Sequence, residues 1–274
     1  MSGRKRAQQL QFSLPGEPEP VRGGAFVKAL RLKREEVPSF RRYPFSIPAV
    51  RKLSRLEFHP AVTFFIGENG SGKSTLLEAL ALKCGFNPEG GAKTIYFATH
   101  DTHSELHRFL VVERGVPRPS DGYFLRAESF YNVATNVEAI EKEFPQPEPF
   151  SSYGGKSLHV QSHGEAFLSL LLHRLRGDGL YLFDEPESAL SPQRQLSVLT
   201  LMDRLVRRHS QLIIATHSPI LLAYPHARIY EFTSRGIVPV AYTDTEHFQV
   251  TRTFLQRHER MLEMLLDHEK TDPQ

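Results

Sequence analysis

The 274-residue sequence has little of what marks secreted or membrane-spanning proteins. Cys84 is its single cysteine, so no disulfide can form within the chain, which suits a reducing compartment. No apolar run approaches the ~18 residues that a membrane-spanning helix needs. The basic N-terminal residues are not followed by the apolar stretch of a secretory signal. We therefore expect a cytoplasmic protein with no direct membrane insertion.

Neither basic nor acidic residues are in large excess. The formal net charge is +3, and part of this excess comes from the short run Arg4, Lys5 and Arg6, which is common in solvated tails. This charge is too small to indicate nucleic-acid binding. There is no internal repeat, and the interval between positions 73 and 162 has no heptad run and too few residues for a long coiled-coil arm.

What is present is a composition typical of a globular domain, with 40% hydrophobic and 24% charged residues. Strand patterns occupy 25–33, 61–67, 122–127, 180–185 and 211–217. Helix patterns occupy 74–83, 129–144, 164–175, 191–209 and 246–267. Because strands and helices alternate and the strands are nearly continuous apolar runs, the pattern predicts an α/β fold with a parallel sheet covered on both faces.

The stretch "GENGSGKST" satisfies the pattern G-x-x-x-x-G-K-[ST] between a predicted strand and a predicted helix. Gly70 and Gly72 allow successive N–H groups to point at one anion, and Lys73 supplies a charge for the β- and γ-phosphates. The Ser74 hydroxyl can ligate Mg²⁺. Pattern and context favour a phosphate loop over a turn that only joins strand to helix. The candidate nucleotide-binding residues are Gly67, Glu68, Asn69, Gly70, Ser71, Gly72, Lys73, Ser74 and Thr75.

Two further predicted strands end in polar side chains. Asp184 and Glu185 lie at the carboxyl end of "LYLFDE", where parallel α/β sheets bind ligands. Asp184 is suited to hold Mg²⁺ through water and Glu185 to polarise an attacking water, although a solvated acidic turn is the alternative. His217 ends the next strand, where it can sense a terminal phosphate, orient water, or serve as an ordinary turn histidine.

The stretch "SHGE" at 162–165 permits two interpretations. Ser162 followed by Glu165, ahead of an apolar run, is a capping box that starts a helix. The same helix start, with Ser162, Gly164 and the spare amide donors, can instead bind a phosphate of another molecule. The local pattern leaves both open.

With these motifs in this order, the chain resembles an ABC-type ATPase. "GENGSGKST" corresponds to Walker A, "LYLFDEPE" to Walker B, "SHGEA" to the signature, "SALS" to the D-loop, and "ATHSP" carries the switch histidine. The resemblance covers roughly residues 25–235 and is stronger to the stand-alone AAA-family branch, akin to chromosome-maintenance and break-repair ATPases, than to a transporter subunit. It implies a P-loop NTPase domain at 21–245 with a helical signature subdomain at about 100–175, between a disordered tail (1–20) and a C-terminal helix and tail (246–274).

The resemblance also implies function. ATP and Mg²⁺ are the expected ligands. The chain is expected to form a homodimer when ATP binds and to hydrolyse ATP. It would act as a motor or switch for an unidentified protein or nucleic-acid partner. The alternatives are the nucleotide-binding subunit of a membrane transporter and a P-loop phosphotransferase, which would need lid arginines. The implied roles are catalysis for Glu185 and His217, metal binding for Ser74 and Asp184, and contact with the partner's γ-phosphate for Ser162, Gly164 and Glu165.

The sequence departs from the family pattern at several positions. His163 and Glu165 replace the usual glycine and glutamine of the signature, which adds bulk and a charge that disfavours phosphate. Ser191 stands where the D-loop often has aspartate, and with Pro192 it also forms an ordinary helix start. Glu128 is the nearest candidate for the Q-loop position.

Two weaker signals remain. Tyr43, and after it Phe45, are the candidates to stack on adenine, against simple loop packing. His100, His103 and His107 share one possible helix face, for which a solvated polar helix is a better explanation than a metal site.

Overall fold

The computed structural model describes residues 24–92, 104–143, 155, 157 and 163–266, which form two sheets and the helices packed around them. The described strands are β1 (Val27–Leu32), β2 (Arg55–Glu57), β3 (Val62–Gly67), β4 (Gly91–Ala92), β5 (Leu110–Arg114), β6 (Asp121–Arg126), β7 (Gly179–Asp184), β8 (Gln211–Ala215), β9 (Arg228–Thr233) and β10 (Gly236–Val240). The described α-helices are α1 (Pro48–Arg51), α2 (Lys73–Cys84), α3 (Phe130–Glu143), α4 (His163–Arg174), α5 (Pro192–Arg207), α6 (Pro219–Leu222) and α7 (Glu246–Leu266).

The larger sheet is parallel in its centre. Its strands lie in the order β10-β9-β3-β8-β7-β6-β4, and neighbours are parallel from β9 to β6, with β10 and β4 as antiparallel edges. Strands β3, β7 and β8 are buried along their whole length. Such burial requires helices on both faces. The predicted α/β fold with a mostly parallel sheet is confirmed.

Successive side chains of β3 enter two different cores. Phe65 faces α2, which packs between the large sheet and a smaller antiparallel sheet of order β2-β1-β5 and buries Leu77 there. Phe64 faces the opposite side, where α4 and α5 bury residues such as Leu170 and Leu205. Both faces of the sheet are therefore covered by apolar side chains, as predicted.

The strand order brings three predicted motifs together. Strand β8 lies between β3 and β7, all three run in the same direction, and the register pairs Ala215 with Phe65 on one side and Asp184 on the other. The segments that follow these strands therefore leave the sheet at one edge. This edge carries the phosphate loop, the acidic pair and His217.

Several features of the two sheets were not predicted from the sequence. The predicted strand at 25–33 is present as β1, but it pairs with β2 and β5 in the separate antiparallel sheet. Strands β5, β9 and β10 lack a recognisable pattern, and β10 contains Pro239, which its edge position tolerates. The proline-bearing segment 38–50 forms turns that lead into α1.

The C-terminal helix α7 spans the predicted range, with non-helical dihedral angles at Arg257. The apolar side of this helix is exposed, with exposed fractions of 38% to 71%. The residues of this side are Phe254, Leu255, Leu262, Leu265 and Leu266. Among the helices that the structure describes, none is both long enough and apolar enough to cross a membrane.

The domain limits stay predictions. The tail 1–20, most of the 145–156 loop and the last residues of the 246–274 segment lie outside the described residues. Within the predicted signature subdomain at about 100–175, α3 and α4 are helical, whereas β5 and β6 belong to the two sheets.

Candidate nucleotide-binding and catalytic site

The phosphate loop joins β3 to α2. Gly70 and Gly72 have φ angles of +78° and +101°, in the left-handed region that favours glycine. A Cβ at Gly72 would also lie 2.8 Å from Cγ2 of Ile47, so space as well as conformation requires glycine there. Because α2 begins directly at Lys73, its first N–H groups and those of the loop face the same space.

Lys73 is enclosed by the loop. Its side chain donates hydrogen bonds from Nζ to the carbonyl oxygens of Gly67 (2.7 Å) and Glu68 (2.9 Å). Burial lowers the pKa of Lys73, while the carboxylates of Glu185 and Asp184 act in the opposite direction. The ammonium is thus placed at the base of the loop, where a phosphate would offer it better acceptors than two carbonyls.

Ser74 and Asp184 meet across the sheet edge. Ser74 Oγ donates to Asp184 Oδ1 at 2.9 Å. Burial raises the pKa of Asp184 to about 6, although the Arg126 guanidinium and the Ser74 hydrogen bond lower it. A hydroxyl and a carboxylate are the oxygen ligands that Mg²⁺ accepts, and a divalent cation would favour the ionised carboxylate. The pair fits the metal, and its role as ligand stays a prediction.

A cavity of about 720 Å³ lies over the loop. Its lining includes Gly70, Lys73 and Ser74 together with Glu185 and His217. This volume is within the range of about 300–1,000 Å³ found for small-molecule sites. The cavity, the cation and the loop N–H groups together fit a nucleoside triphosphate with Mg²⁺.

The loop also holds an unused polar group. Ser71 Oγ is buried and has no hydrogen-bond partner among the described residues. Buried hydroxyls are seldom left unpaired, so this one is available to a ligand bound in the loop.

Glu185 and His217 approach each other in the lining of the cavity. Oε1 of Glu185 lies 3.7 Å from Nε2 of His217, and Oε2 lies 3.4 Å from the donating Oγ of Ser188. The φ angle of Glu185 is +52°, a strained value for a residue with a side chain, and its N–H donates to the Ala215 carbonyl oxygen. The turn holds this carboxylate at the cavity. Its role as general base stays a prediction.

A third carboxylate near this edge was not predicted. Glu187 accepts the backbone N–H of His217 through Oε1 at 2.5 Å. Burial raises the pKa of Glu187. This side chain therefore ties the turn after β7 to the turn after β8, and the repeat of acids in "DEPE" was the signal that could have indicated it.

The start of α4 carries the described part of the signature. Ser162 lies outside the described residues, so neither its cap nor its phosphate contact is tested. Gly164 is buried, and a Cβ there would lie 2.6 Å from the Ala189 carbonyl oxygen and 2.5 Å from Nη1 of Arg194. Glu165 is exposed and pairs with Arg194 at 3.3 Å. Glycine at this position is therefore required for packing, whatever its role in a dimer.

Of the two candidates for adenine stacking, the structure places one at the cavity. Tyr43 lines it, is 64% exposed, and has its hydroxyl 3.5 Å from Oγ1 of Thr75. Phe45 is fully buried against Phe109, so this alternative is wrong. Glu128, the Q-loop candidate, lines the same cavity with an exposed side chain, and its role stays a prediction.

Two local predictions lie further from the cavity. Ser191 caps α5 by accepting a hydrogen bond from the Arg194 backbone N–H, as its sequence context indicated. His107 lies in a short 3-10 helix and contacts the Ser104 carbonyl oxygen, while His100 and His103 lie outside the described residues.

Arg126 is a charged residue of the site that sequence reasoning missed. It ends β6, next to β7, and its guanidinium lies 2.8 Å from Glu78 and 3.7 Å from Oδ2 of Asp184. Both carboxylates are largely buried, and Arg126 is 18% exposed. No local pattern marks this residue, because its partners come from α2 and β7.

Replacing Arg126 with methionine is expected to lower the free energy of unfolding by about 3 kcal/mol, since two largely buried carboxylates lose their counter-charge. Urea unfolding would measure the loss. Arg118→Met, at an exposed loop position, is the matched control and should change stability by less than about 0.5 kcal/mol. Equal effects of the two substitutions would show that the Arg126 ion pairs contribute nothing.

Known proteins resemble the chain in these regions. A protein-family model described as "AAA domain, putative AbiEii toxin, Type IV TA system" matches residues 165–223, and one described as "AAA domain" matches residues 39–142. An energy-coupling factor transporter ATP-binding protein from Methanospirillum hungatei is 26% identical over 227 residues, covering 75% of this chain and 54% of that protein. A thiamine import ATP-binding protein from Histophilus somni is 29% identical over 164 residues, covering 56% of this chain and 74% of that protein.

The chain thus spans about half the length of the first of these relatives. Among solved structures, the SMC head domain from Thermotoga maritima has a TM-score of 0.42 and 16% identity, covering 78% of this chain and 99% of that one.

The matched regions contain the site. Residues 39–142 include the phosphate loop, and residues 165–223 include the acidic pair and His217. The curated relatives are named as ATP-binding proteins of transporters or of an import system. These matches confirm the resemblance to ABC-type ATPases that the motifs indicated.

Proposed function

We propose that this chain binds ATP with Mg²⁺, dimerises around the nucleotide and hydrolyses it, acting in the cytoplasm as a motor or switch for another component. The observation that carries the proposal is that Lys73, Ser74, Glu185 and His217 line one cavity. Phosphate binding and water activation need these groups around one space.

Within the proposal each side chain has a distinct task. Lys73 and the loop N–H groups bind the β- and γ-phosphates. Mg²⁺, held by Ser74 and Asp184, would supply further neutralisation of the phosphate charge. Glu185 accepts the proton of the attacking water, and His217 donates a hydrogen bond toward the terminal phosphate.

The proposed dimer would place the first turn of α4 at the interface between the two subunits. Glu165, on the first turn of α4, is exposed and held by the partly exposed Arg194. In the proposed dimer this turn faces the γ-phosphate bound by the other subunit. The carboxylate then opposes the contact and the guanidinium favours it.

Glu165→Gln is therefore expected to strengthen ATP-dependent dimerisation by about two- to fivefold, because it removes a like charge and releases Arg194 toward the phosphate. Light scattering with and without ATP would measure the change. Arg194→Ala should weaken ATP-dependent dimerisation. Gly164→Asp would not isolate the effect of charge, because any Cβ at this position contacts the Ala189 carbonyl oxygen and disturbs the packing of α4. Unchanged dimerisation in both variants would place this turn away from the interface.

The nucleotide-binding subunit of a membrane transporter is the second candidate. It is favoured by the curated relatives, three of which are named as transporter or import ATP-binding proteins. The "SHGE" signature and the "DEPES" turn argue for the stand-alone type instead. Retention of a membrane permease by the tagged chain would support the transporter function.

The test of the leading proposal is ATP turnover by the purified full chain, measured with and without DNA and alongside affinity purification of partners. Turnover that depends on Mg²⁺ and rises with a purified partner or with DNA is the expected result. A chain that binds no ATP at concentrations up to the millimolar range would contradict the proposal.

A further inference from the structure

The first turn of α7 contacts the segment that follows β8. Nε2 of His247 lies 3.2 Å from Nδ1 of His217, and the two rings are 5.4 Å apart between centroids. Beyond this contact, Nε2 of His217 and Nδ1 of His247 are buried and have no hydrogen-bond partner among the described residues. The C-terminal helix thus brings a second histidine into contact with His217, which lines the cavity.

The position of His247 is fixed by its neighbours. The Tyr242 hydroxyl donates to the Pro219 carbonyl oxygen at 2.9 Å, two residues after His217. The ring of Phe248 packs on that of Tyr242 at 4.8 Å, and the buried Thr245 binds the Tyr242 carbonyl oxygen through its hydroxyl. The start of α7 is therefore held against the His217 segment by several contacts.

The charged groups around the two histidines determine which ring carries the hydrogen of the hydrogen bond between them. Burial lowers the pKa of both His217 and His247, and Lys73 lowers both further, so the rings are neutral at pH 7. Glu185 faces His217 and opposes this shift of its pKa, while Glu246 and Glu231 do so for His247. A neutral imidazole carries one N–H, so only one ring donates across the 3.2 Å contact.

The two possible tautomers differ in what His217 presents to the cavity. If His217 Nδ1 donated to His247, its Nε2 lone pair would face the Glu185 carboxylate at 3.7 Å, which is repulsive. If His247 Nε2 donates instead, His217 carries its hydrogen on Nε2 and faces the carboxylate with a donor. The second arrangement is favoured electrostatically.

The geometry points to His247 as a positioning residue that holds His217 in the Nε2–H tautomer, so that a donor faces the terminal phosphate and the Glu185 carboxylate. The inference rests on the proposed ATP hydrolysis for its effect on turnover, but the hydrogen bond itself exists without nucleotide. It also makes the first turn of the C-terminal helix part of the catalytic site.

The tautomer can be measured directly by NMR of the full chain with ¹⁵N-labelled histidine imidazoles, assigned with a His217→Gln variant. We expect His217 of the wild type to carry its hydrogen on Nε2, and His247→Ala to lose this preference. A wild-type His217 with its hydrogen on Nδ1 would overturn the proposal, whether or not the chain hydrolyses ATP.

Kinetics provide the second readout. His247→Ala should lower kcat about tenfold, the effect typical of a residue that orients a catalytic imidazole, with KM for ATP changed less than about twofold because Lys73 and the loop are intact. His247→Gln places an amide N–H near the same point and should recover most of the kcat. His258→Ala, on the exposed side of the same helix, is the control.

The outcomes separate the two proposals. Wild-type kcat in His247→Ala would overturn the positioning role while leaving the ATPase proposal intact, as would a loss of kcat that His247→Gln does not restore. Absence of hydrolysis in the wild type would reject the ATPase proposal, and the imidazole spectra would still decide the tautomer.

Discussion

Replacing Lys73 with alanine should reduce ATP binding by on the order of a hundredfold or more, below detection at micromolar ATP, because truncating one partner of a buried charge pair typically costs about 2–5 kcal/mol. Lys73 is 4% exposed, and its ammonium lies 2.7 Å from the Gly67 carbonyl oxygen at the base of the loop. Without it, the phosphates would face the carboxylates of Asp184 and Glu185 uncompensated. Equilibrium dialysis with ATP and Mg²⁺ would measure the loss.

Lys83→Ala is the matched control for this substitution, since it removes the same charge from the last turn of the same helix. It should leave ATP affinity unchanged. Thermal unfolding of both variants would verify that each is folded, as the glycines of the loop are untouched. Near-wild-type affinity of Lys73→Ala for ATP would contradict the assignment of the phosphate loop.

The parts of the site that could be predicted from the sequence are those in which a local pattern coincides with a strand end. The loop glycines, Lys73 and Ser74 occupy fixed spacings between β3 and α2, and Asp184 follows an apolar strand. Parallel strands end at the same edge of a sheet, so the alternation of elements places Ser74 and Asp184 at one edge. Their contact at 2.9 Å depends in addition on the strand order, in which only β8 separates β3 from β7.

The parts that could not be predicted depend on contacts between distant segments. Arg126 enters the site because β6 lies beside β7, an order that no pattern in the sequence specifies. His247 enters because the chain returns through β9 and β10 and brings α7 against α6. The antiparallel β1-β5 pair was missed for the same reason, since its partners are separated by residues with no hairpin signal.

The geometry also distinguishes the two neighbouring glutamates. Glu187 is partly buried and its Oε1 accepts the His217 backbone N–H, so this carboxylate serves to hold the turn. Glu185 has a 40% exposed side chain, lines the cavity, and lies beside the imidazole of His217. A general base must lie within hydrogen-bond reach of the water that it deprotonates. Glu185 lines the cavity whereas Glu187 is not among its lining residues, so Glu185 is the better candidate for the base.

Glu185→Gln is accordingly expected to bind ATP but to hydrolyse it about a hundredfold or more slowly, since an amide keeps the shape of the carboxylate and cannot accept a proton. The amide oxygen can still accept the Ser188 hydroxyl, so the strained turn at φ +52° should persist. With Lys73, Ser74 and the loop intact, the ATP complex should accumulate as a dimer. Single-turnover hydrolysis and light scattering with ATP would measure the two effects.

The control for Glu185→Gln is Glu35→Gln, an exposed position in a 3-10 turn away from the cavity, which should leave turnover and dimerisation unchanged. The expected ATP-bound dimer would form in Glu185→Gln with Mg²⁺ and would be absent from the Glu185→Gln/Lys73→Ala double variant, because the dimer is held by nucleotide that the second substitution removes. If Glu185→Gln instead hydrolyses ATP at the wild-type rate, another group takes the proton of the attacking water. His217, whose Nε2 lies 3.7 Å from the same carboxylate, would then be the first residue to replace.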